Sequence, residues 1–350
     1  MKGLIAIITG LVLLTASCKN RQGGGDDQSL EDSLSGKYGK GSEVIQQLDA
    51  EIIKSPGNAE LYYKRAQQWA REGNKVKALQ DIKAAVNLEP QNALYRFSQG
   101  EIAFMNDSVS MALESFNKAL EFKPDFPDAL LKLGELQFIM FEFSQSNGTF
   151  DKLLEQEPIN ATAWYYKGRN YIGMKDTTRA IEAYKKSVSL DNDNYNSYIQ
   201  LGNLYYSKGG AKNLDLAIDY FTNAIRVKEL SAEAFYARGL AYYDMRANEK
   251  AVRDFERVMA LDPDDYRPYV NIGLINYDID QYDAAIESYD KALMLNPEHV
   301  KSYYLRGLAH MQRGDNQAAI KDFRVVVQMD TNYRIAQDFL RDLEKKTGTK

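Results

Sequence analysis

Apolar residues along most of this chain return at helical spacing, and the helical segments themselves return at a fixed interval. From Ala232 to Asp265 the order is Phe235 at the fourth position, Gly239 at the eighth, Tyr242 at the eleventh, Ala251 at the twentieth, Phe255 at the twenty-fourth and Pro263 at the thirty-second. The same chemistry recurs as Tyr269, Gly273, Ala285, Tyr289 and Pro297, and again as Tyr303, Gly307, Ala319 and Phe323. Each interval carries two stretches with apolar residues three and four apart, which predicts two amphipathic α-helices joined by a short turn. Helices this short barely persist alone in water, so their apolar faces must be buried against each other and against the next pair.

Counted back along the chain, the eighth-position column reads Ala66, Gly100, Gly134, Gly168, Gly202, Gly239, Gly273 and Gly307, at intervals of 34 residues with a single interval of 37. The twentieth position gives Ala78, Ala112, Ser146, Ala180, Ala217, Ala251, Ala285 and Ala319. The twenty-fourth gives Ile82, Phe116, Phe150, Tyr184, Phe221, Phe255, Tyr289 and Phe323. Small residues in the first two columns let paired helices approach closely, and the large residue in the third fills the space beside them. Pro56, Pro90, Pro124, Pro158, Pro263 and Pro297 mark the interval boundaries, where a residue that cannot continue a helix acts as a stop.

These columns closely resemble the tetratricopeptide repeat, and the resemblance covers residues 59–333. It implies an all-α chain folded as an α-solenoid, a right-handed superhelix of eight repeats: 59–92, 93–126, 127–160, 161–194, 195–231, 232–265, 266–299 and 300–333. The three extra residues of the fifth repeat fall around Gly209-Gly210-Ala211, in a turn. Before the array, Val44, Leu48 and Ile52 recur at four-residue steps, so residues 43–58 read as an N-terminal half-repeat that caps the first unit. After it, Ile335, Phe339 and Leu343 share one face of a half-polar helix, which makes residues 334–350 a C-terminal cap and tail.

The start of the chain is of another kind. Lys2 precedes an apolar run from Leu4 to Leu14, and Thr15-Ala16-Ser17 leads into Cys18, the chain's only cysteine. The run is too short to span a bilayer and reads as a secretory signal. Its ending resembles a bacterial lipobox, which implies removal of residues 1–17 and lipidation of Cys18 by a palmitate-type acyl chain. With Lys19 next, the sorting rule of such lipoproteins implies the outer membrane, on either its periplasmic or its surface side. Residues 18–42, with Gly23-Gly24-Gly25 and few large apolar side chains, read as a flexible tether.

Lysine and arginine number 44 against 49 acidic residues, and loss of Lys2 with the signal moves the formal net charge from −5 to −6. No basic stripe marks a nucleic-acid surface. Two histidines, His299 and His310, and one cysteine offer neither a metal set nor a nucleophile with a base, so neither cofactor nor catalysis is expected. Asp191-Asn192-Asp193-Asn194-Tyr195 lacks the glycine and glutamate that a calcium loop needs.

What remains is binding. The resemblance implies that first helices line a concave surface through positions two, five, nine, twelve and thirteen. In the second and third repeats Phe97, Phe104, Met105, Leu131, Phe138 and Ile139 form an apolar strip that Met140 and Phe141 carry into a turn. Tyr165 stands at position five of the fourth. In the sixth and seventh, Tyr236, Tyr243 and Tyr277 stand with Glu233, Asp244 and Asp278, a combination suited to a basic segment. The chain is therefore expected to be a non-catalytic, lipid-anchored scaffold of the cell envelope that holds a protein or peptide partner, with a homo-oligomer as a further option. The alternative is a carbohydrate- or cell-wall-binding surface lipoprotein, with groove tyrosines stacked on sugars.

Overall fold

The computed structural model describes residues 42–348, and every regular element among them is an α-helix. The signal segment, Cys18 and the tether up to residue 41 lie outside the described residues. Helix α1 (Glu43–Lys54) precedes the pair α2 (Ala59–Arg71) and α3 (Lys75–Leu88). Next come α4 (Ala93–Met105) and α5 (Val109–Phe122), α6 (Pro127–Ile139) and α7 (Phe143–Gln156), and α8 (Ala161–Gly173) and α9 (Thr177–Leu190). They are followed by α10 (Tyr195–Lys208) and α11 (Ala211–Val227), α12 (Ala232–Asp244) and α13 (Asn248–Leu261), α14 (Arg267–Asp278) and α15 (Tyr282–Leu295), and α16 (Val300–Arg313) and α17 (Asn316–Met329). Helix α18 (Arg334–Thr347) ends the described chain. These helices pack into two compact units, residues 42–107 and 108–348.

In the unit formed by 42–107, α1 packs on α2, and Leu48 and Ile52 are buried with Leu61. The face of α1 that turns inward is Ile45, Leu48 and Ile52; Val44, expected inside, is 48% exposed and Ile45 is fully buried. Steps of three and four follow the helical period of 3.6 residues, whereas two steps of four drift off the face. Ala66 and Ile82 are both fully buried between α2 and α3.

In the unit formed by 108–348, the rings of Phe150, Tyr184, Phe221, Phe255, Tyr289 and Phe323 are almost wholly excluded from water. Each lies against a glycine of the preceding helix, sixteen residues earlier in five cases and nineteen for Phe221, whose repeat carries three extra residues. A Cβ on Gly134 would stand 2.7 Å from the Phe150 ring, on Gly168 2.6 Å from Tyr184, on Gly239 2.8 Å from Phe255 and on Gly307 2.9 Å from Phe323. Gly202 against Phe221 and Gly273 against Tyr289 repeat the contact. Glycine is thus required by the ring opposite it. Ser146, the exception in the alanine column, donates its hydroxyl to the Gly134 carbonyl at 2.8 Å and accepts from Asn170 Nδ2 at 2.8 Å, so its polar group is satisfied in the core.

In five of the eight pairs the residue before the first helix caps it. Side chains of Asn58, Asn92, Asn160, Asn194 and Ser231 each accept from a backbone N–H of the helix that follows. The turn between paired helices keeps a positive φ at its fifteenth position, at Gly73, Asp107, Phe141, Lys175, Gly209, Arg246, Asp280 and Gly314, though its sequence varies. The longer fifth turn differs in that Gly209 pairs its positive φ with an extended ψ of 177°. Glu142 N–H to the Gln137 carbonyl, at 2.9 Å, and Asp176 N–H to that of Tyr171, at 2.8 Å, are the bonds that close a Schellman-type end and demand this conformation.

Candidate functional site

Position five of the first helices proves half structural. The Tyr165 ring lies 5.9 Å from Tyr184, Tyr236 5.8 Å from Phe255 and Tyr304 6.0 Å from Phe323, so each roofs its own core ring. At three of the four places where this position carries no hydroxyl to keep wet, it sinks further. Phe97, expected on an open strip, is buried, as are Ile199 and Val270.

The remaining strip residues divide in the same way. On α4, Phe104 and Met105 are 42% and 39% exposed. On α6, Ile139 is 49% exposed and Phe141 just after it 79% exposed, while Leu131 is only partly accessible. Phe138 is held from three sides: Phe143 at 5.9 Å, Tyr166 edge-on at 5.8 Å, and the Arg169 guanidinium over its face at 4.1 Å. It is a packing residue that borders the strip. Phe141 sits edge-on to Phe143 at 6.0 Å in the left-handed conformation, which a bulky side chain seldom adopts.

The acidic residues assigned to steering are engaged with tyrosines. Tyr243 donates to Asp278 Oδ2 at 2.8 Å, and Arg246 donates to the same oxygen at 2.9 Å. Burial, followed by this bond, pushes the Tyr243 phenol up to about 12, so it stays a donor at neutral pH. Tyr206 bonds Asp244, and burial and that carboxylate raise its phenol further. Tyr195 donates to Glu233 Oε2 at 3.0 Å. Tyr277 instead packs edge-on against Tyr282 at 5.6 Å. The tyrosines therefore tie successive first helices together as well as facing outward.

Within 108–348 these helices line a half-open recess with a cavity volume of about 310 Å3. Asn203 and Tyr206 of α10 form one wall, Glu233, Tyr236, Ala237 and Leu240 of α12 the second, and Arg267 of α14 closes it above the buried Phe221. Arg267 lies 4.6 Å over the Tyr236 ring and is held by Asp265 Oδ2 at 2.7 Å. Asn203 and Leu240, both ninth positions, carry the cavity's amide and its aliphatic wall.

Sequence reasoning overlooked a set of ion pairs beneath this face. Arg65, Arg238 and Arg306, all at position seven, each grip with two nitrogens the aspartate sixteen residues later: Asp81, Asp254 and Asp322. They also reach sixteen residues back, Arg65 to Asp49 at 2.6 Å, Arg238 to Thr222 at 3.1 Å and Arg306 to Asp290 at 2.5 Å. Lys167 pairs with Asp151 in the same register. The twofold sixteen-residue spacing was the available signal. At the acidic turn after α9, Arg226 donates to Asp193 Oδ1 at 3.2 Å, so a side-chain cation occupies that loop.

His310 is half-buried with Nε2 4.0 Å from Asp322, and burial holds its imidazole below the ordinary value. His299 pairs with Ser302 at 2.7 Å. The two histidines are thus apart, and among the described residues no group of three or more His, Cys, Asp or Glu side chains forms a metal site. No described helix is long and apolar enough to cross a membrane.

Comparison with known proteins accounts for the helical pairs. The tetratricopeptide repeat family models match residues 270–334 in one form and 161–194 and 232–265 in another. The C-terminal part of a TPR repeat-containing protein from Cytophaga hutchinsonii superposes with a TM-score of 0.61 over 70% of this chain and 99% of its own, at 20% identity, a likeness of fold. Among curated proteins, a UDP-N-acetylglucosamine–peptide N-acetylglucosaminyltransferase of Giardia intestinalis is 30% identical over 94 residues, 27% of this chain. ER membrane protein complex subunit 2-B of Xenopus laevis is 26% identical over 89 residues, 25% of this chain. The matches span only 6% and 30% of the length of those two relatives.

Proposed function

We propose that this chain, an all-α array of tetratricopeptide repeats, is a non-catalytic scaffold that holds a protein or peptide partner on the face formed by its first helices. The observation that carries the reading is the cavity walled by α10, α12 and α14. Three successive first helices leave there an aromatic and aliphatic recess with a few polar groups, the usual composition of a binding site. The lipobox-like ending at Cys18 supports an anchor in the outer membrane of the cell envelope, with the array as its soluble working part.

A photo-crosslinking amino acid placed at Leu240 or Asn203 should capture another protein in intact cells. One placed at Met294, 82% exposed on the second helix α15, should not. Equal capture from both positions would show that the first-helix face is not the binding face. Truncating the accessible strip residues separately, Phe104→Ala and Ile139→Ala, is expected to weaken capture by over ~1 kcal/mol each while helicity is kept. Cys18→Ser should release the protein from the membrane fraction; retention there would refute the anchor.

A further inference from the structure

We infer that the cavity between α10, α12 and α14 receives a lysine or arginine side chain of the partner, an inference that rests on the first-helix face being the binding surface. Its shape and chemistry point the same way. The floor and walls are apolar, supplied by Ala237, Leu240, the buried Phe221 and the rings of Tyr206 and Tyr236. A long aliphatic stem buries its methylenes well against such walls.

The charge at the rim is negative. Arg267, the cation that borders the cavity, is already neutralised: Asp265, itself buried, accepts from Nε at 2.9 Å and from Nη2 at 2.7 Å. Glu233 is an exposed carboxylate whose Oε2 accepts the Tyr195 hydroxyl, and its second oxygen takes no hydrogen bond among the described residues. Asp244 lies outside the lining but is bonded by Tyr206, which lines it, and so adds a second negative charge on α12; Asn203 offers a side-chain amide without a partner among the described residues. An anionic ligand would meet this excess of negative charge with the one nearby guanidinium already committed. A neutral aliphatic side chain would fill the walls and leave the rim unused. A basic side chain satisfies both, its stem on the aromatic faces and its head at Glu233 and Asn203.

The test uses peptide libraries in which one central residue is fixed and the flanks are randomised, spotted on a membrane and probed with the fluorescently labelled full chain. Lysine and arginine libraries should bind about tenfold better than the norleucine library, and glutamate least. Glu233→Gln should bring the basic libraries down to the norleucine level without lowering norleucine binding, and Glu298→Gln, exposed and distant, should change nothing. Norleucine binding equal to lysine, or a Glu233→Gln protein that keeps the preference, overturns the inference but leaves a peptide-binding face standing. Binding of no library overturns both. Unchanged circular dichroism of each variant excludes misfolding as the cause.

Discussion

Placing an alanine at Gly134 tests whether ring and glycine are matched parts. The added Cβ would stand 2.7 Å from two atoms of the Phe150 ring and 3.0 Å from a third. Phe150 is fully buried and stacked on Tyr166 at 5.5 Å, so the ring has no free volume into which to withdraw. Overpacking costs about 1–3 kcal/mol, and a ring with no room to withdraw takes the upper part of that range, about 2–3 kcal/mol. Alanine is the better helix former by about 1 kcal/mol, which offsets part of it. The expected net loss is roughly 1–2 kcal/mol for Gly134→Ala, read from urea unfolding and from faster amide exchange in α6 and α7. The chain contains its own compensated version of this change: where position eight is Ala66, position twenty-four is Ile82, and both are fully buried. Adding Phe150→Ile to Gly134→Ala should therefore recover stability relative to Phe150→Ile alone. A strictly additive double mutant, or a Gly134→Ala protein as stable as the parent, would refute the argument.

Three further perturbations follow from the same geometry. Arg238→Ala leaves Asp254, 7% exposed, without its cation and should cost ~3–5 kcal/mol in chemical unfolding, whereas replacing both residues with leucine should cost far less; equal losses would show that packing and not charge is at stake. The buried Tyr289 hydroxyl has no hydrogen-bond partner among the described residues, so Tyr289→Phe should raise stability by about 1–2 kcal/mol, and a loss instead would reveal a bond to water. His310 has its proton affinity lowered by burial, with the nearby Asp322 only partly offsetting this. The unfolded chain then binds the proton more readily, so stability present above the ordinary value of 6.5 is lost as pH falls below it. His310→Gln should accordingly lose less stability than the parent between about pH 7 and about pH 5, and parallel curves would sink this account.

The repeating packing was legible because it depends on side-chain volume, which a sequence states outright. A glycine column facing a ring column admits few other folds, and the rings of Phe150 to Phe323 lie where that reasoning puts them. The binding face was less legible, since exposure depends on what lies beneath a residue. Phe97 and Phe104 look alike in sequence, yet one is buried at position five and the other is open at position twelve. Asp278 looked like a free steering charge until Tyr243 and Arg246, both more than thirty residues away, were found bonded to it.

The turns carry the argument one step further. Their fifteenth position has a positive φ in all eight pairs, yet only Gly73, Gly209 and Gly314 have the residue that favours it. Elsewhere Asp107, Phe141, Lys175, Arg246 and Asp280 accept a strained backbone, a cost of about 1–2 kcal/mol for an L-residue. The conformation is imposed by the helix-closing hydrogen bonds on either side, which involve no side chain and so leave no mark in the composition of the turn. Arg246 uses its position to reach Asp278 and thereby link two first helices. Phe141 sets its ring edge-on to its neighbour Phe143 and is 79% exposed, so fold stability gives little reason for a phenylalanine there. A strained, exposed aromatic beside Ile139 is accounted for if the residue serves binding, which places the partner's path across this turn as well as along the first helices.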